Sequence, residues 1–138
     1  MKRPHLLKVS RGVGSFGTLI AAAKAEGLRI GWLLLEATTA PEPLAEAAAL
    51  GVLRAVAVGE GMTVAVKPVP GEPVLEDLLR EHFLGCRLVL VAGDLELPRL
   101  EPDGEDWVVT LSDGSTRQLT TAQLVARLRK PEPFSVGK

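Results

Sequence analysis

The stretch LLKVSRGVGSFGTLIAAAKAEGLRIGWLLLE, residues Leu6–Glu36, decides how the chain is read. It opens on a short apolar run, Leu6 to Val9, that suits a β-strand. Ser15 to Glu26 follows as a helix, with Phe16, Leu19, Ile20 and Ala23 spaced for one buried face and Gly27 as the C-terminal stop. Arg29 to Leu35 is then apolar without alternation, the pattern of a central strand covered on both faces inside a parallel sheet. A strand, a helix and a buried strand make a β-α-β unit, and the remaining segments are placed around it.

Downstream, Leu44 to Leu50 reads as a helix ended by Gly51, with Thr39 and Glu42 in capping-box spacing or Pro43 at its first position. Arg54 to Val58 and Met62 to Lys67 are β-rich and separated by Gly59-Glu60-Gly61, a three-residue hairpin signal. After a proline-rich break, Val74 to Leu84 resumes as a helix with Leu75, Leu78, Leu79 and Phe83 on one side. Arg87 to Ala92 is a second continuously apolar, hence central, strand. The last third changes character. Leu95 to Leu100, Trp107 to Leu111 and Thr116 to Leu119 are strand-like and joined by turn-rich segments, which makes an antiparallel meander. Thr120 and Gln123 form a capping box for a final helix reaching Lys130. The expected architecture is α/β, with α+β character at the C-terminal end. It is a single-domain sandwich with a mixed sheet: parallel β-α-β units, an antiparallel meander and a C-terminal helix. The domain covers residues 1–130, and 131–138 form an irregular tail.

Gly12, Gly14 and Gly17 stand in G-x-G-x-x-G spacing between the first strand and the helix. Glu36 ends the following strand, where an acid would meet a ribose hydroxyl. On these residues, over Leu6 to Glu36, the chain resembles the first β-α-β of a Rossmann domain. The resemblance implies a nucleotide or other phosphate held by Gly12, Gly14, Ser15 and Gly17 at the helix N-terminus, with Arg11 as charge partner and Glu36 on the sugar. It stops there, because an antiparallel C-terminal third cannot supply the second half of a doubly wound sheet, and no acid or base is placed for hydride transfer. The alternative is a structural turn, in which Gly12 and Gly14 adopt positive φ and Gly17 lets the alanine-rich helix approach the sheet. Lys2, Arg3, His5, Lys8 and Arg11 precede the first acidic residue, Glu26, so the loop is expected to sit in a positive segment.

Other constellations are sparse. Cys86 is the single cysteine, and Gly85 separates it from His82, which leaves no catalytic thiol pair and no disulfide. Glu36, Glu60 and Asp94 are at strand ends, but one reversal at the hairpin would send Asp94 to the edge opposite Glu36, so no metal site is expected. Serines lack a triad context. The net charge of −1 gives no pull toward nucleic acid or acidic lipid, and no apolar run reaches the roughly 18 residues of a membrane span. The absence of a signal-type core makes the cytoplasm the expected location. Absent asparagine and tyrosine, with abundant proline and arginine, suggest a thermophile. With no catalytic residues evident and no cofactor identified, the composition favours a non-enzymatic interaction or structural module. Such a module would be a homodimer, with the Trp107 to Leu119 hairpin as contact surface. The alternative is a binding module for a phosphate-bearing small molecule.

Overall fold

The computed structural model describes residues 3–35, 42–67 and 74–136. Along the chain β1 (His5–Val9) leads into a 3-10 turn (Val13–Phe16), α1 (Gly17–Ala25) and β2 (Ile30–Leu34). Then come α2 (Glu42–Ala49), β3 (Ala55–Gly59), β4 (Met62–Val66) and α3 (Leu75–His82). β5 (Leu88–Ala92), β6 (Arg99–Asp103), β7 (Asp106–Thr110), β8 (Thr116–Leu119) and α4 (Thr121–Arg127) complete the order. The residues form two compact units, 1–35 with 79–138 and 36–78.

The first unit is built on a six-stranded mixed sheet in the order β2-β5-β1-β6-β7-β8. β2, β5 and β1 run parallel, with Gly31 and Leu6 both opposite Val89. β6 joins β1 in parallel at Lys8 and Arg99, then continues into the antiparallel meander β6-β7-β8. Alternation along the strands sends Leu7, Val9, Leu88, Leu90, Leu100, Trp107 and Val109 to one face, where they form the core with Phe16, Leu19, Leu124 and Leu128. α1 and α4 lie against each other in covering this face. Leu6, Val89 and Val91 are buried on the other face. Among the described residues no helix is long and apolar enough to cross a membrane.

The α/β class, the parallel opening, the meander and the C-terminal helix are as the sequence suggests. The Thr120 hydroxyl accepts from the Gln123 amide at 3.1 Å, and the Gln123 side chain accepts from the Thr120 amide at 2.9 Å, which completes the capping box. Two strand assignments change. β2, expected to be central, is the edge strand of the sheet, while β5 is the inner one. Its unbroken apolar run reflects cover above and below and not neighbours on both sides. The Trp32 ring lies 6.0 Å from Phe16 on one face, and a Cβ at Gly31 would come within 2.5 Å of the Phe83 ring on the other. The strand expected from Leu95 begins only at Arg99, because residues 93–98 cross the end of β1, where the Lys8 amide donates to the Pro98 carbonyl at 2.8 Å.

In the second unit α2 packs on the antiparallel pair β3-β4. Gly59 pairs with Met62, so the hairpin turn is the two residues Glu60 and Gly61 and not three. Gly61 takes φ +79°, a left-handed conformation that glycine adopts without steric cost.

Candidate functional site

Three parallel strands end together at one edge of the sheet, and their carboxyl ends gather the chemistry. β1 delivers Ser10, Arg11 and the glycine loop; β5 delivers Gly93 and Asp94; β2 delivers Leu35, whose amide donates to the Ala92 carbonyl at 2.8 Å. From β1 the chain turns into α1 on the core face. From β5 it passes along the opposite face, where Lys8, Asp94, Pro98, Arg99 and Thr110 line a groove of about 410 Å³. Adjacent parallel strands whose connections leave to opposite faces open a crevice between them, the usual ligand position in such sheets.

This placement corrects the expectation for Asp94. β5 is parallel to β1 and β2, so Asp94 stands at the same edge as the glycine loop. The reversal at Glu60 belongs to the separate β3-β4 sheet and does not change the direction of the main one. Asp94 is engaged with Lys8 at 3.8 Å. No group of three potential metal ligands occurs among the described residues.

The glycines are unlike the structural turn the sequence suggests. Gly12 is extended at φ −66° and ψ 161°, and Gly17 is helical at φ −57° and ψ −41°. Gly14 lies inside the 3-10 turn and is not among the glycines with positive φ. A Cβ at any of the three would meet nothing within 4 Å, so neither a left-handed backbone nor close packing of α1 on the sheet requires glycine there. Ser15 closes the turn, its amide donating to the Gly12 carbonyl at 3.1 Å, while the amides that begin the turn have no helical partner. Phe16, with no exposed surface, pins the turn to the core by stacking on Trp107 at 5.8 Å.

Of the described residues of the basic segment, only Arg11 remains beside the loop. β1 carries Arg3 to its amino end, His5 donates from Nε2 to the Leu128 carbonyl at 3.0 Å, and Lys8 faces Asp94. Arg11 is exposed and makes no ion pair among the described residues. Glu36 lies outside the described residues, as does Lys2.

Ser15 also lines a cleft of about 430 Å³ with Thr18, Pro102, Glu105, Trp107 and Thr121. The Trp107 indole donates to the Thr121 hydroxyl at 2.9 Å and fixes one wall. Hydroxyls of Ser15, Thr18 and Thr121 with the Glu105 carboxylate make this lining polar and, among the described residues, uncharged but for one acid and free of lysine and arginine. Sequence reasoning missed Thr18, Glu105 and Thr121, because only the meander's path past α1 brings them together. The two-residue turn Gly104-Glu105 that presents the acid was visible as a turn, not as a wall.

In the meander Trp107, Val109, Leu111 and Leu119 are buried in the unit's own core, and the outward face carries Arg99 paired with Glu101 at 3.5 Å and Gln118 donating to Asp103 at 3.3 Å. Cys86 is half-buried, and burial pushes its thiol up against the opposing pull of Arg29. No protein-family model matches the chain, and no curated protein is significantly similar to it.

Proposed function

We propose that the protein binds a phosphate-bearing small molecule at the carboxyl edge of β1, with the phosphate on the Gly12–Gly17 loop. The observation that carries this reading is the pairing of ordinary backbone angles with open space at Gly12, Gly14 and Gly17. Glycine costs chain entropy on folding, so a position that needs neither positive φ nor room inside the protein is explained by close approach of something outside it. The unpaired amides at the start of the turn would donate to phosphate oxygens, the positive end of α1 would favour the charge, and Arg11 would neutralise it.

The cleft beside Ser15 would take the rest of the ligand. A carboxylate among hydroxyls suits a neutral, hydroxyl-rich group, since each sugar hydroxyl can donate to Glu105 and exchange hydrogen bonds with Thr18 or Thr121. The same lining disfavours phosphate within the cleft and leaves the phosphates to the loop. A nucleoside or sugar phosphate fits both halves.

Titration of ¹⁵N-labelled protein with ADP and with inorganic phosphate tests this. Both ligands are expected to move the amide resonances of Gly12, Gly14 and Ser15, and ADP alone those of Thr18 and the Trp107 indole. Unmoved glycine amides at ~10 mM ligand, a concentration that would fill even a millimolar site, contradict the proposal.

A further inference from the structure

The opposite edge of the same sheet carries an arginine cluster that the glycine loop does not explain. Arg29 immediately precedes β2, Arg87 immediately precedes β5, and Arg3 stands just before β1. The three strand starts are tied by backbone hydrogen bonds, Arg87 amide to Arg29 carbonyl and His5 amide to Arg87 carbonyl, each 2.8 Å. Parallel pairing therefore fixes three guanidinium-bearing residues at one end of the sheet. They line a cavity of about 260 Å³ together with Gly27, Gly85 and Cys86.

Among the described residues no carboxylate lines this cavity. The acid next along the chain, Glu26, is engaged by Arg129 at 3.7 Å. Arg29 and Arg87 make no ion pair among the described residues. Arg29 and Arg87, brought together without an ion pair, repel each other, and an anion bearing more than one negative charge relieves that repulsion while pairing with both. Guanidinium groups add planar, paired donors matched to phosphate oxygens. The cavity, about 260 Å³, has room for a compact oxyanion. Gly27 and Gly85, at φ +74° and +85°, turn the chain beside it and bring no side chain into the space.

We infer that the amino edge of β1, β2 and β5 is a second binding site, built on Arg29 and Arg87 with Arg3 in its lining, for a compact multiply charged oxyanion of the phosphate or diphosphate type. It is independent of the glycine loop, which lies at the far ends of the same strands.

Cys86 provides the readout, being the only cysteine of the chain and part of the cavity lining. Pyrophosphate is expected to slow alkylation of Cys86 by iodoacetamide at least fivefold relative to sodium chloride at equal ionic strength. The anion blocks access to the sulfur and cancels the pull that Arg29 exerts toward the thiolate. Arg29→Gln combined with Arg87→Gln should abolish the protection, whereas Gly14→Ala should leave it intact. Equal alkylation rates in pyrophosphate and chloride for the unaltered protein overturn the inference, whether or not the variants fold. Protection that survives the double substitution, or disappears in Gly14→Ala, overturns it as well.

Discussion

Phe16→Ala is expected to destabilise the first unit by about 3–5 kcal/mol, the range for removing a fully buried aromatic ring. The ring has no exposed surface, stacks on Trp107 at 5.8 Å with planes 19° apart, and meets Trp32 at 6.0 Å. Alanine would leave a void between two tryptophans from strands at different places in the sheet, β2 and β7. Both indoles would change surroundings, so tryptophan fluorescence during urea unfolding reports the loss directly. A decrease below ~1 kcal/mol at unchanged m would show that Phe16 does not join these elements. Phe16 also ends the turn that carries Gly12 and Gly14, so the same substitution should loosen the loop.

Gly93→Ala is expected to cost about 2–4 kcal/mol, through close contact and backbone strain together. Gly93 has φ +155°, and a Cβ there would approach the Leu35 Cβ to 2.5 Å and its Cγ and Cδ1 to 3.1 Å. Leu35 cannot step aside by changing rotamer, because the nearest atom is its own Cβ and its amide is bonded to the Ala92 carbonyl at 2.8 Å. The ends of β2 and β5 would separate, and the crevice beside the glycine loop would change shape. Thermal unfolding of this variant within ~1 °C of the parent would contradict the close approach, since 1 kcal/mol corresponds to several degrees in a domain of this size.

Gly93 and the Gly12–Gly17 loop show how differently a sequence exposes its reasons. A glycine at the end of an apolar strand reads only as punctuation, and its need is visible once Leu35 is seen pressed against it. A spaced trio of glycines reads as a turn with special angles, yet the angles are ordinary. Local pattern was legible wherever the chain answers to itself: the Thr120 capping box, the buried alternation of Trp107 and Val109, the unbroken run of β5. Lateral order was not, because faces and not neighbours make a run apolar, and β2 with Phe16 below and Phe83 above is apolar at an edge. The direction of β5 depended on whether the hairpin at Glu60 belonged to the main sheet, a question no periodicity answers. Half of the candidate site had the same limit: Arg11, Gly12, Gly14 and Ser15 are contiguous, whereas Thr18, Glu105 and Thr121 meet only in space.

The central claim is that the glycine loop is shaped for a ligand and not for the fold, and Gly14→Ala separates the two in one pair of measurements. Its φ is not positive and its Cβ would meet nothing within 4 Å, so alanine should leave the protein as stable as before or firmer by about 0.4–1 kcal/mol, through lost freedom of the unfolded chain. ADP affinity should fall at least tenfold, about 1.4 kcal/mol, as the methyl group holds the phosphate off the amides. A variant that binds ADP as tightly as the parent, or that unfolds more easily than it, would contradict the account.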